Sequence, residues 1–365
     1  MNERPNERPT DDRAYMRRAL ALAVRGWGRT APNPLVGAVL VRDGEVVGEG
    51  HHAMYGGDHA EVVALRAAGE RARGATAYLT LEPCAHHGKT PPCVDALIAA
   101  GVRRVVAATA DANPRAAGGF ARLREAGVET QVGLEEAAAR ELNAAFLHAF
   151  RSDRPWVTLK LAVSIDGAIA GRDGAGWLTG RASQTEVHRL RAGSDAVAVG
   201  IGTVLADDPL LTVREGESPR VAPTRVVFDR TARLPLTSRL VRTARETPVL
   251  VVASQPDPGR AAALADAGVE IVIAASIDAG LSGLRVRGIR SLLVEGGARL
   301  AGALLTAAAV DRLVIFQAPC VLGAGALGAF AFAPARTPAD ASRLPIVERR
   351  TLDNDLMTVY ACSPA

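Results

Sequence analysis

Lysine is nearly missing from this chain: of 43 basic residues, all but Lys89 and Lys160 are arginine. Arginine serves an ordinary surface, so two retained lysines mark places where a compact amine is wanted. Cysteine is scarce too, at four residues in 365. The N-terminal MNERPNERPTDDR has no apolar core of a secretory signal, so a disulfide scaffold is excluded. Cysteines in such a chain are read as metal-binding or catalytic. No stretch approaches the ~18 uninterrupted apolar residues of a membrane span. No run of basic residues accompanies the net charge of +4, which excludes the footprint of a nucleic-acid binder. The expectation is a cytoplasmic, soluble protein with neither nucleic acid nor membrane as partner.

What the chain has is apolar bulk. It is 48% hydrophobic and 22% charged over 365 residues, enough for two cores at about 100–200 residues per domain. Up to residue 150, strand-like LVGAVLV, EVVGEG, TAYLTL and RRVVAAT alternate with helical stretches. The latter include 59–72, with Asp58 as its cap, 91–101, and one long helix over 134–149. Asp43-Gly44 is a hairpin dipeptide. RSDRPW (151–156) reads as a linker, and a second alternation follows it, from WVTLKLAVS to RLVIFQAP. Strands separated by helices predict α/β folds, here two α/β domains over 1–150 and 151–365.

One constellation carries chemistry by itself. His59-Ala60-Glu61, Pro83-Cys84 and Cys93 supply one imidazole and two thiolates, a ligand set suited to Zn²⁺ with one position open for water. Glu61, on a different helix face from His59, need not ligate and can move protons. A lone H-x-E is usually structural, and C-x8-C is not a finger spacing. In this order, however, they fit the zinc deaminase signature H-x-E…P-C…C.

The run TLEPCAHHGKTPPC (80–93), with PNPLVGAVLV (32–41) and GEGHH (48–52), resembles the deaminase domain of bifunctional riboflavin-biosynthesis enzymes, which has eight residues between its cysteines. The resemblance implies a cytidine-deaminase-like N-terminal domain with His59, Cys84 and Cys93 on zinc and Glu61 as the catalytic proton shuttle. It also implies that Asn33, His52, His86 and Lys89 bind substrate. His51 and His87 are expected to be solvated. The implied reaction is hydrolytic deamination of 2,5-diamino-6-(5-phosphoribosylamino)pyrimidin-4-one, a phosphorylated pyrimidine.

In the second half, VEGGARLAGALL (294–305) joins a buried strand to a helix through Gly-Gly, a weak sign of a phosphate cradle. No G-x-G-x-x-G stands in a Rossmann context. LKLAVSIDG (159–167), GWLTG (176–180), TVLADDPLLTVR (203–214) and VEGGARLAG resemble the reductase domain of the same enzymes. That implies a dihydrofolate-reductase-like C-terminal domain, NADPH, and reduction to 5-amino-6-(5-phosphoribitylamino)uracil. The resemblance implies that Ala162, Trp177, Thr203, Asp207 and the stretch Gly297, Ala298, Arg299, Leu300, Ala301, Gly302 and Ala303 face the cofactor. Arg191, Asp207, Leu211, Arg214 and Glu295 then hold substrate. Lys160, in an otherwise apolar strand, is expected to act catalytically on the opening ribose, since a buried lysine is rarely tolerated without a task.

The chain departs from the family twice. Ala175 stands where many relatives have serine, and Arg230 follows Asp229 where many have a small hydroxyl residue. Arg230 is therefore expected to contact the 2′-phosphate of the cofactor. The reading leaves room for a homo-oligomer. Two rivals are weaker. A nucleotide or tRNA-type zinc deaminase with an unrelated appendage is disfavoured by the C-x8-C spacing. A non-enzymatic zinc-structured module would ordinarily have four protein ligands.

Overall fold

A computed structural model describes residues 12–86, 91–172, 174, 176–331, 337, 339 and 341–363. The chain divides into two compact units, Met1–Phe150 and Arg151–Ala365. Among the described residues no helix is long and apolar enough to cross a membrane.

The first unit opens with α1 (Asp12–Ala23) and the hairpin β1 (Gly37–Arg42) and β2 (Glu45–His51). Asp43 and Gly44 both take positive φ, the tight turn that their dipeptide favours. Next come α2 (Ala60–Ala68), β3 (Thr76–Leu79), α3 (Cys93–Ala99), β4 (Arg104–Ala107), α4 (Gly119–Glu125) and β5 (Glu129–Val132). The strands form a sheet in the order β2-β1-β3-β4-β5, antiparallel up to β3 and parallel beyond it. Period-2 alternation splits the core between its faces. Ala38, Leu40, Ala77 and Leu79 pack with Ala60, Ala64, Val94 and Leu97 of α2 and α3. Val39, Val41 and Tyr78 pack with Met16 and Ala19 of α1.

The expected long helix over 134–149 is two, α5 (Glu136–Leu142) and α6 (Ala144–His148). Asn143 between them has φ −110° and ψ 22°, and its side chain bonds the Leu35 backbone. A tertiary bond outweighs the local periodicity there.

The second unit has a sheet in the order β11-β10-β9-β8-β12-β6-β13-β16-β15. Its middle holds β6 (Trp156–Val163), β8 (Ala196–Gly200), β12 (Ser291–Glu295) and β13 (Arg312–Gln317), all parallel. A short β7 (Ala168–Ala170) and α7 (Arg181–Ala192) lie between β6 and β8, and α8 (Ile201–Asp207) follows β8. One side continues through β9 (Thr224–Phe228), β10 (Val249–Ala253) and β11 (Val269–Ile273). With these alternate α9 (Arg239–Arg242), α10 (Pro258–Asp266) and α11 (Ile277–Val286), and α12 (Ala298–Thr306) follows β12. A short β14 (Leu327–Gly328) pairs with β7, and β15 (Ile346–Leu352) with β16 (Asp355–Ala361) adds an antiparallel hairpin beside β13. That hairpin was not legible, because β15 is charged and mostly exposed. Cys320 lies in the loop beyond β13.

Asp311 ties the ends of this unit together. Its buried carboxylate accepts two bonds from Arg154 at 2.6 and 2.9 Å, one from the Val157 N–H at 2.8 Å and one from the Ser363 hydroxyl at 2.7 Å. Burial alone would raise this carboxyl, but Arg154, Val157 and Ser363 outweigh it and hold it below the usual carboxylate range. Its stabilisation is therefore complete above the unfolded value of about 4 and lost as pH falls through the folded one. Asp311→Ala is expected to cost about 3 kcal/mol, the lower end for breaking a buried pair, because Arg154 keeps 21% of its side chain in water. Thermal unfolding at neutral and acid pH checks it: the deficit should shrink on acidification, and an unchanged Tm at neutral pH contradicts it.

Candidate active sites in the two units

The first site begins with a close approach. A Cβ on Gly50 of β2 would lie 2.3 Å from the Ala60 carbonyl oxygen, and one on Gly48 2.3 Å from that of Ala64. Glycine on the strand and alanine on the helix let α2 lie directly on β2. His59, rather than the expected Asp58, is the N-cap of α2, in extended conformation and with no side-chain capping bond. It precedes the first helical turn, so the expectation that Glu61 points to a different helix face does not hold. His59 and Glu61 line the same cavity.

His59 Nδ1 lies 3.2 Å from Cys93 Sγ and 3.7 Å from Cys84 Sγ. All three ligand atoms fall within 4.8 Å of one another. Cys93 opens α3, and its N–H donates to Cys84 Sγ at 3.4 Å. The Cys93 thiol's hydrogen bond, then those from His59 and the Cys93 N–H, overcome burial and pull the Cys84 thiol well below its ordinary value. One imidazole and two sulfurs, one already favoured as thiolate, fit a zinc ion with an open position. Glu61 is buried in the first turn of α2, and burial pushes its carboxyl up, the direction wanted in a group that must carry a proton at neutral pH.

His59, Glu61 and Cys84 face a cavity of about 250 Å³. The His52 ring is buried, packs edge-on to His59 at 5.5 Å, and donates from Nδ1 to the Asp58 carbonyl at 3.0 Å. Its Nε2 is then an acceptor, and takes the Asn33 amide N–H at 3.2 Å. Burial pushes this imidazole down, toward the neutral form. Glu82 accepts the N–H groups of Asp111, Gly118 and Phe120 at 3.2–3.3 Å. That carboxylate draws the loop after β4 up to the cavity, where Asp111 and Asn113 join the lining. Burial, with the Glu82 and Cys84 charges, pushes Asp111 up to about 6. Sequence reasoning missed both residues, although a polar ANP turn at the C-terminal end of a parallel strand is where ligands bind.

In the second unit, α12 begins at the C-terminal end of β12 with Gly297 as its N-cap and no side-chain cap. Side chains of Ser238, Asp257 and Ser276 cap α9, α10 and α11, whereas α7 and α8, like α12, start at a glycine with no side-chain cap. A glycine-capped start at the C-terminal end of a parallel strand suits an anionic group such as a dinucleotide pyrophosphate. Lys160 on β6 is in register with Glu295 on β12, and its Nζ stands 5.7 Å from the Phe316 ring centre. Burial pushes its amine down. Arg191 grips Glu295 through two bonds of 2.5 and 2.9 Å and donates to the Thr212 carbonyl at 3.0 Å.

Comparison with known proteins decides the family. Residues 155–358 match the RibD C-terminal domain, and residues 9–109 match the cytidine and deoxycytidylate deaminase zinc-binding region. The chain is 42% identical to the Escherichia coli riboflavin biosynthesis protein RibD, over 94% of this chain and 98% of that one. It belongs to the RibD family. The Aquifex aeolicus RibD is 43% identical over 86% of this chain and 88% of its own. A solved Acinetobacter baumannii RibD superposes with a TM-score of 0.84 at 40% identity, covering 96% of this chain and 98% of that one. The Thermotoga maritima structure, a diaminohydroxyphosphoribosylaminopyrimidine deaminase/5-amino-6-(5-phosphoribosylamino)uracil reductase, gives 0.82 at 34% identity, covering 97% and 99%.

As a member of the RibD family, the chain is a bifunctional enzyme of riboflavin biosynthesis, a zinc deaminase joined to an NADPH-dependent reductase. Its fold pairs a cytidine-deaminase-like unit with a dihydrofolate-reductase-like one. Of the expected site residues, Asn33, His52, His59, Glu61, Cys84 and His86 meet at one cavity, with Cys93 at its metal set. Lys89, His87 and Ala175 lie outside the described residues. Trp177 is 75% exposed. Thr203 is half-buried beside Gly297, and Ala162 packs with Phe316.

The stretch Gly297–Ala303, expected to face the cofactor as a run, divides. Leu300 and Ala301 pack into the core, and a Cβ on Gly302 would lie 2.4 Å from the Ala331 carbonyl oxygen. The side chains of these three therefore pack inward. Leu211 is likewise buried in the core, with φ 55°. Arg214, Asp207 and Arg230 are exposed.

Proposed function

We propose that residues 1–150 hydrolytically deaminate 2,5-diamino-6-(5-phosphoribosylamino)pyrimidin-4-one and that residues 151–365 reduce the ribosyl chain of the product to 5-amino-6-(5-phosphoribitylamino)uracil. The observation that carries the reading is the His59–Cys84–Cys93 set beside a buried Glu61 in one cavity. His59, Cys84 and Cys93 would hold the zinc, which would supply an activated water. Glu61 is placed to accept a proton from the attacking water and to return it to the departing ammonia. Asn33, His52, His86 and Lys89 hold the pyrimidine and its phosphorylated chain, with the neutral His52 fixing the Asn33 amide. The substrate is a small phosphorylated molecule; neither nucleic acid nor membrane is needed.

In the second unit NADPH supplies the hydride. The first N–H groups of α12, at Ala298 and Arg299, hold its pyrophosphate, while Trp177, Thr203, Asp207 and Ala162 line its course. Arg214 offers an exposed guanidinium to the substrate phosphate. The Arg191–Glu295 pair and Lys160 flank the ribose, where the Lys160 ammonium steadies the oxygen or imine nitrogen of the opening ring. Incubating the purified chain with the diaminopyrimidinone tests the whole reading. Ammonia should appear without NADPH, and NADPH should be consumed only once the deaminated product has formed.

Arg230, exposed at the end of β9, holds the 2′-phosphate that distinguishes NADPH from NADH. A charge-assisted bond of this kind is worth about 10- to 100-fold. Arg230→Ala should raise KM for NADPH by that factor and leave KM for NADH alone. An equal change for both cofactors removes Arg230 from this role.

A further inference from the structure

We propose that Asn143 is a positioning residue for pyrimidine recognition, holding the Asn33 side of the cavity in place from the break between α5 and α6. The residue is buried. Its Oδ1 accepts the Leu35 N–H at 2.8 Å, and its Nδ2 donates to the Leu35 carbonyl at 2.9 Å, across 108 residues of chain. An amide that bonds both polar groups of one residue acts as a short piece of β-bridge. It satisfies a buried N–H and C=O that would otherwise lack partners.

The geometry extends from that bridge to the ligand. Asn33, Pro34 and Val36, on either side of Leu35, all line the cavity, and so does Phe146, one turn beyond Asn143. The Asn33 N–H is held by the Thr30 carbonyl at 2.9 Å, and its side-chain amide donates to His52. Three anchors therefore fix the Asn33 loop: Thr30 before it, His52 beside it and Asn143 after it. With its N–H engaged by His52, the Asn33 amide presents its Oδ1 as the acceptor for a ligand N–H.

The inference rests on the cavity being the pyrimidine site, so the test carries its own control. Asn143→Asp keeps the shape and the acceptor but turns a second acceptor toward the Leu35 carbonyl. Asn143→Leu removes both bonds. Each is assayed as the full zinc-loaded chain for deamination, zinc content and reduction of pre-deaminated substrate. Both should raise KM for the diaminopyrimidinone about ten-fold, the scale of one buried bond, with kcat within about two-fold. The ratio of the Asn143→Asp KM to the wild-type KM should fall as pH is lowered, because the introduced carboxyl regains a donor on protonation; Asn143→Leu should show no such recovery.

An unchanged KM in zinc-loaded variants, a fall in kcat alone, or loss of zinc in both variants overturns the positioning role. Asn33→Ala separates the two levels. If it raises KM while the Asn143 variants do not, only the present inference fails. If it leaves KM unchanged, the cavity is not the pyrimidine site and this inference falls with that reading.

Discussion

Cys84→Ser is expected to empty the first unit of zinc and abolish ammonia release, while the second unit reduces pre-deaminated pyrimidine at the wild-type rate. Changes one shell out from a metal already cost about 10–100-fold in affinity, so losing a thiolate ligand should cost more. The local structure strengthens the expectation. Cys84 is the sulfur that accepts the Cys93 N–H at the start of α3, and it is the thiol whose hydrogen bonds favour the thiolate. Serine in its place keeps the size but stays protonated at neutral pH, and so brings no charge to the ion. Cys93→Ser should behave alike. Elemental analysis of both variants checks the claim, and full zinc occupancy in each would remove these cysteines as ligands.

Glu61→Gln should separate holding the metal from using it. The side chain is buried beside His59 and Cys93 but belongs to no ligand set. Glutamine matches its volume and cannot carry the proton between water and leaving ammonia. Deamination should fall by roughly 10²–10⁴-fold, the general acid–base scale. Zinc content and KM should stay near wild type, since the loss lies in the transition state. Residual activity close to wild type would assign proton transfer elsewhere, with the half-buried Asp111, its carboxyl at about 6, the nearest rival.

How much of this was legible in the sequence depended on how local the physics is. His59, Cys84 and Cys93 declared themselves, because soft donors in that order have few other uses in a cysteine-poor chain. Most strands of both units followed from β-branched runs, the β15–β16 hairpin and the short β7 and β14 excepted, and Asp43-Gly44 folded as its dipeptide dictates. The misses share one cause. The pattern over 134–149 is continuously helical, and the bond from Asn143 to Leu35 that interrupts it spans 108 residues. Asp58 looked like the cap of α2, but the extended backbone that turns His59 toward the cysteines shifts the cap by one residue.

Burial produced the same kind of surprise. Arg225, in the strand TRVVF, is wholly buried and bonds the Thr243 hydroxyl and carbonyl rather than water. Glu82 reads as an ordinary acid within LEPC, yet it gathers three N–H groups and shapes the cavity wall. In the second unit, the resemblance supplied residues as a run along the chain. The helix turns the side chains of Leu300 and Ala301 to the core, while Gly297 caps its start without a side-chain bond.

The central claim is that one chain carries two chemistries, and that zinc serves only the first. Reduction of pre-deaminated substrate by the metal-stripped chain tests it most directly, measured as NADPH oxidation beside ammonia release from the diaminopyrimidinone. The account predicts that stripping abolishes ammonia release, that added zinc restores it, and that NADPH oxidation proceeds at the wild-type rate throughout. Loss of both activities together, or ammonia release that survives removal of the metal, would contradict it.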